Sequence, residues 1–137
     1  MWDLNDNVYY DFAGMGVTSC VLGYADNDVN SAINNAVKNG TMATLNAPEE
    51  YELSKMLIKL HPWSSMIRFS KSGGEACSIA IRIARAYTKK DIVLFCGYHG
   101  WSDWYLANNL SDKKVDQHLL KGIQIEGVSK SLRNSIL

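Results

Sequence analysis

Apolar residues recur along this chain with three helical periods and two short strand-like runs. Ala76, Ile79, Ala80, Ile83, Ala84 and Tyr87 fall at i, i+3, i+4, i+7, i+8 and i+11, one stripe of a helix. Arg82 and Arg85 lie mostly off that stripe. Ser72 and Glu75 occupy the two positions of a capping box, so this helix is expected to begin near Gly74. A second stripe, Val29, Ala32, Ile33, Ala36 and Val37, predicts a helix over residues 28–39, with Gly40 suited to its stop. A third starts at Pro48, Glu49 and Glu50, continues through Leu53, Met56, Leu57 and Leu60, and ends at His61-Pro62.

The two short runs flank the long helix. Met66-Ile67-Arg68-Phe69-Ser70 precedes it and Asp91-Ile92-Val93-Leu94-Phe95-Cys96 follows it. Strand, helix, strand predicts a right-handed βαβ unit with the two strands adjacent and parallel, and an α/β fold class. Residues up to about Leu22 read as short strands or irregular chain punctuated by Gly14, Gly16 and Gly23. Residues 40–47 form a polar connector. Residues 101–110 read as a short helix carrying Trp101, Trp104 and Tyr105, a cluster suited to packing. Beyond Ser111 the pattern weakens, with Leu119, Leu120, Ile123, Ile125 and Val128 scattered among polar residues, as in a surface excursion. No internal repeat is present.

Two motifs carry candidate chemistry. Ser72-Gly73-Gly74-Glu75-Ala76 opens the long helix, and Cys96-Gly97-Tyr98-His99-Gly100 closes the second strand-like run. Gly73 and Gly74 remove two Cβ atoms from a first turn whose free N–H groups and dipole favour an anion. Tyr98 and His99 offer rings beside it. Two readings stand open for each motif. The first turn is a plain helix start or a phosphate cradle, and the rings are packing or a clamp for a flat ligand. Their occurrence at the ends of consecutive parallel strands favours a ligand bearing a phosphate and a ring.

Composition excludes several classes. Fourteen Lys and Arg balance fourteen Asp and Glu, and 47% of residues are apolar, so there is no basic footprint for nucleic acid. Met1-Trp2-Asp3-Leu4-Asn5-Asp6 has neither the charged nor the apolar region of a signal peptide. No apolar run reaches the roughly 18 residues of a membrane span. Cys20, Cys77 and Cys96 match no zinc or redox spacing, which suits a reduced, cytoplasmic compartment and no metal.

Taken together, the motifs from Val8 to about Leu110 resemble the N-terminal part of class III pyridoxal-phosphate aminotransferases, and within them the glutamate-1-semialdehyde aminomutase-like group. Tyr10-Asp11-Phe12-Ala13-Gly14-Met15-Gly16-Val17 resembles the family's early Y-x-D…G-x-G stretch. Leu22-Gly23-Tyr24-Ala25-Asp26-Asn27-Asp28-Val29 resembles L-G-H-x-x-P-x-V, with Tyr24 in place of His. Ser72 to Ala76 resembles S-G-T-E-A, Ala84-Arg85-Ala86-Tyr87-Thr88 resembles A-R-A-Y-T, and Tyr98-His99-Gly100 is similar to the family's Y-H-G. The variant S-G-G-E-A with Y-H-G-W-x-D-W resembles an aminotransferase subgroup linked to surface-polysaccharide gene clusters.

The resemblance implies a fold type I enzyme. Residues 1–40 would be an N-terminal segment of the small domain, and residues 41–137 the first βαβ part of the large cofactor-binding domain. It implies pyridoxal 5'-phosphate as cofactor, held by Ser72, Gly73, Gly74, Tyr98 and His99: the glycines cradle the phosphate, and Tyr98 stacks on the pyridine ring. Gly74 stands where the family usually has a hydroxyl residue, which removes one side-chain bond to phosphate. The implied partners are a small-molecule amino donor and acceptor and a second subunit in a homodimer, with no nucleic acid or membrane.

The family's Schiff-base lysine and the aspartate that pairs with the pyridine nitrogen lie far downstream. No lysine here matches that context: Lys71 precedes the turn, and Lys89-Lys90 suit a helix end. No catalytic residue is therefore assigned, and the chain reads as the front third of an enzyme, inactive by itself. Two alternatives remain: a non-catalytic truncated remnant, and an unrelated nucleotide-binding α/β module. The second lacks a G-x-G-x-x-G turn.

Overall fold

A computed structural model describes residues 1–110, 126–133, 135 and 136. Leu119, Leu120, Ile123 and Ile125 of the weakly patterned tail lie outside the described residues. The chain divides into two units, Met1–His61 and Pro62–Leu137.

In the first unit, short-range hydrogen bonds organise a small N-terminal turn. The Asp3 carboxylate accepts from the backbone N–H of Asn5 at 2.8 Å and of Asn7 at 3.0 Å. It also accepts from Asn7 Nδ2 at 2.9 Å and the Tyr9 hydroxyl at 3.1 Å. Trp2 and Val8 pair across this turn in a single antiparallel bridge. Further on, Tyr24 donates its hydroxyl to Asp11. The expected glycine punctuation spreads to neighbours: Met15, Val17 and Thr18 share the positive φ of Gly16. For β-branched Val17 and Thr18 that conformation is strained.

Two helices follow, with ends close to those expected. α1 spans Asn27–Asn39. Asp26 caps it by accepting from Asp28 N and Val29 N, and Gly40 ends it at φ 101°. α2 spans Pro48–Leu60, with Pro48 in its first turn and His61 at its end. Both are amphipathic, yet neither contains a buried residue. Val29, Ile33 and Val37 of α1, and Leu53, Met56 and Leu60 of α2, are all exposed.

In the second unit α3 spans Gly73–Thr88. Ser72 Oγ accepts from Glu75 N at 3.2 Å. Glu75 Oε2 returns the bond to Lys71 N at 2.8 Å, one residue earlier than an ideal capping box. Lys89 ends the helix in the left-handed conformation. α4, Asp103–Leu106, runs into a 3-10 turn, Ala107–Leu110, where a single short helix was expected. Trp104 and Tyr105 are buried as expected of packing residues, whereas Trp101 is exposed.

Two expectations need correction. No ladder joins residues 66–70 to residues 91–96 among the described residues. Val93 instead makes one parallel bridge to Ile136, with Val93 N donating to Ser135 O at 3.1 Å. A parallel strand forms only against chain distant in sequence, and one bridge does not complete it. Both segments keep the two-residue alternation of a strand. Ile67 and Phe69 are half-buried between exposed neighbours, and so are Val93 and Phe95. The second correction concerns α3. Its expected apolar stripe faces outward, with Ile83 58% and Tyr87 88% exposed. The opposite face, Cys77 and Ile81, packs on the core of Trp104, Tyr105 and Ile136, with Val93, Phe95 and Leu106 around it.

Arg85 belongs to that inner face. Its Nε donates to Asp91 O at 2.8 Å and its terminal amine to Ser135 O at 3.4 Å. It thus ties the end of α3 to both sides of the Val93–Ile136 bridge. Arg85→Met should destabilise the second unit by about 1.5 kcal/mol, the worth of a bond from a charged donor. Arg85→Lys should not restore it, because one ammonium lacks the fork that reaches both carbonyls. Urea unfolding of the purified variants checks this.

Asp3 supplies a pH test. Hydrogen bonds, first from the Asn7 side chain, then from the Asn7 and Asn5 backbone, lower its carboxyl from 3.8 to about 2. The carboxylate form is the one bound in the turn. The turn's stabilisation is therefore complete above about pH 4 and is lost as pH falls through about 2. An NMR titration should show the Asp3 carboxyl and the Asn7 amide moving together near pH 2, and a midpoint near 4 would overturn the assignment.

Candidate functional site

The long helix and the aromatic loop meet through backbone. Gly100 has φ +92°, and a Cβ placed on it would lie 2.9 Å from Gly74 Cα and 3.5 Å from Gly74 N. Any side chain there would force the loop off the first turn of α3. The contact brings Gly74 to within two residues of Tyr98.

The first turn itself is open. Gly73 and Gly74 are the first two helical residues, and among the described residues neither N–H has a hydrogen-bond partner. A Cβ at Gly73 would meet nothing within 4 Å, and one at Gly74 only Ser102 Oγ at 3.9 Å. Two free donors, an unobstructed backbone and the positive end of a sixteen-residue helix suit an oxyanion such as a phosphate. Ser72 faces the same turn, but its Oγ is engaged as the cap of Glu75 N.

The aromatic side is a cluster of rings. Tyr98 is half exposed and meets Tyr105 edge to face, with centroids 5.8 Å apart. With 55% of its surface exposed, Tyr98 keeps ring surface open to a second flat ring. His99 sits among Phe95, Trp104 and Tyr105 at 5.8, 6.3 and 6.1 Å. Its Nε2 lies 2.6 Å from Cys96 O. A carbonyl only accepts, so Nε2 carries the proton. In the neutral ring Nδ1 is then the acceptor for the Cys77 thiol, 3.9 Å away. Both ring nitrogens face protein atoms, so whatever part His99 takes in binding runs through the loop that it fixes.

Pattern reading missed the groups behind the turn. Ser78 Oγ donates to Gly74 O at 2.9 Å, accepts from Trp104 Nε1 at 3.1 Å and lies 2.8 Å from Ser102 Oγ. Small polar residues on a helix leave no periodic signal. Tyr105, 2% exposed, has a hydroxyl with no hydrogen-bond partner among the described residues. Burial, then the nearby Tyr98, pushes its ionisation up from the ordinary value. The His99 backbone amide offsets part of this rise without closing a hydrogen bond. Among the described residues no group of three or more His, Cys, Asp or Glu could hold a metal ion, and no helix is long and apolar enough to cross a membrane.

A family described as "Aminotransferase class-III" matches residues 1–130. A 3-aminobutyryl-CoA aminotransferase of Cloacimonas acidaminovorans is 37% identical over 103 residues, 74% of this chain and 25% of that protein. A glutamate-1-semialdehyde 2,1-aminomutase of Francisella tularensis is 41% identical over 109 residues, 78% of this chain and 25% of that protein. Its counterpart in Francisella philomiragia is 40% identical over the same length. The chain spans about a quarter of the length of these relatives. With a glycine turn opening α3, the Tyr98-His99-Gly100 loop seated on it and the match running over nearly every residue, this chain belongs to the class III aminotransferase family.

Proposed function

We propose that the protein containing these residues moves an amino group with pyridoxal 5'-phosphate, on a small amino acid, semialdehyde or sugar-linked substrate. The observation that carries this reading is the open first turn of α3, with two unpartnered N–H groups, held against the aromatic loop by the Gly100–Gly74 approach. Gly73 and Gly74 hold the phosphate through their backbone, and Ser72 keeps the turn in shape by capping it. Tyr98 stacks on the cofactor ring, braced by the nearly perpendicular ring of Tyr105. The bound cofactor supplies an electron sink for breaking a bond at the amine-bearing carbon. The relatives' names cover transfer between molecules and transfer within one, and both fit the same cradle.

This chain's part is positioning. In this reading Lys71, Lys89 and Lys90, all exposed, are surface or helix-end cations, and none is assigned as the amine that would hold the cofactor covalently. That amine is assigned to the part of the relatives' length not spanned here. In this reading residues 1–40 join the small domain and residues 41–137 begin the large domain of a fold type I, cytoplasmic homodimer. The outward stripe of α3, Ile83 and Tyr87, is then a face covered in the whole protein.

The test is amino transfer and glutamate-1-semialdehyde conversion by the full-length protein and by residues 1–137 alone, each with added cofactor. The full-length protein should turn over, and residues 1–137 should not exceed a blank of free cofactor. Tyr98→Ala in the full-length protein should raise the cofactor dissociation constant about fivefold, as loss of a stacking contact worth on the order of 1 kcal/mol implies. Turnover by residues 1–137 above the blank would place the essential lysine within them.

A further inference from the structure

We propose that Ser78 and Ser102 are positioning residues that latch the glycine turn of α3 to the aromatic loop, and that Ser102 is not itself a phosphate ligand. The inference rests on the cofactor reading above and adds residues to it.

Three observations carry it. Ser102 stands at the N-cap of α4 with extended backbone angles, φ −72° and ψ 146°, yet its side chain makes no capping bond. A serine there ordinarily accepts from the helix it opens. Its hydroxyl turns instead to Ser78 Oγ at 2.8 Å and to Gly74 O at 3.5 Å. Second, Ser78 is the hub. It donates to Gly74 O, the carbonyl of the second residue of the turn, and accepts from Trp104 Nε1. Third, the loop and turn touch as backbone at Gly100 and Gly74, where a shift of one moves the other.

Proton counting gives Ser102 its role. Ser78 has one hydroxyl hydrogen, and Gly74 O takes it. A serine oxygen accepts two bonds, and Trp104 Nε1 fills one. Ser102 therefore donates, to Ser78 Oγ at 2.8 Å and, as the weaker branch of the same hydrogen, to Gly74 O at 3.5 Å. With its hydrogen held by Ser78 and Gly74 O, Ser102 has only lone pairs left for a ligand, and lone pairs repel an anion. The absence of a hydroxyl at position 74 is thus not replaced by Ser102. The turn relies on the Gly73 and Gly74 N–H groups, and the latch holds them at one orientation relative to Tyr98.

The experiment measures binding of pyridoxal phosphate and of pyridoxal, which lacks the phosphate, to the full-length protein by cofactor absorbance and dialysis. Ser78→Ala and Ser102→Ala should each raise the pyridoxal phosphate dissociation constant about fivefold, the effect of one neutral hydrogen bond. Pyridoxal binding should stay unchanged, which a general loss of folding would not allow. The double variant should lose little more than either single one, because both hydroxyls act through Gly74 O. Ser78→Thr should restore binding, since a threonine hydroxyl can bond the same carbonyl one turn back. Weakening by Ser102→Ala with none by Ser78→Ala would make Ser102 a direct ligand and overturn the latch. Unchanged binding in both variants would overturn it too. A full-length wild-type protein that binds no pyridoxal phosphate would remove the cofactor reading and the latch together.

Discussion

The close approach of Gly100 to Gly74 is the constraint on which the second unit depends. Two backbones come so near that a single methyl group at residue 100 would lie 2.9 Å from Gly74 Cα. Because no side chain intervenes, the loop bearing Tyr98 is referred directly to the helix end bearing the free N–H groups. Everything else around it is support. Trp104 and Tyr105 fill the space behind the loop, Cys77 and Ile81 present a flat face of α3 to them, and Ile136 closes the far side, completely buried.

Helices were legible in the sequence because their information is local. Ser72 and Pro48 mark starts, Gly40 and His61-Pro62 mark stops, and the boundaries fall within a residue or so of those signals. The strands were only half legible. The alternation in residues 66–70 and 91–96 survives in which side chains turn inward. Their pairing does not, since a parallel neighbour is chosen by chain far away and no local pattern names it. Val93 pairs where the core draws it, beside buried Ile136, a residue that no pattern singled out.

The two faces of α3 show why periodicity misleads about packing. Its strongest apolar stripe is the exposed one, while the face that packs contains Cys77, Ser78, Ile81 and Arg85. A mixed face of that kind reads as surface. It packs here because each polar member finds a partner: Ser78 in Gly74 O and Trp104, Arg85 in Asp91 O and Ser135 O. The outward stripe stays uncovered among the described residues, with Ile83 58% and Tyr87 88% exposed.

The three glycines of the site are glycines for different reasons, and this separates packing from binding. Gly100 is required by its φ of +92° and by the 2.9 Å contact, so its role is explained without any ligand. Gly73 has no positive φ and nothing within 4 Å of a would-be Cβ, and Gly74 meets only Ser102 Oγ at an ordinary 3.9 Å. Alanine would fit at both positions without a clash. No contact among the described residues accounts for glycine rather than alanine at either position. A ligand that must reach the backbone N–H groups does, because a methyl group on either residue would stand between them and it. The bare pair at the start of α3 is thus the feature that internal packing leaves unexplained, and it lies where the phosphate of the proposed cofactor would rest.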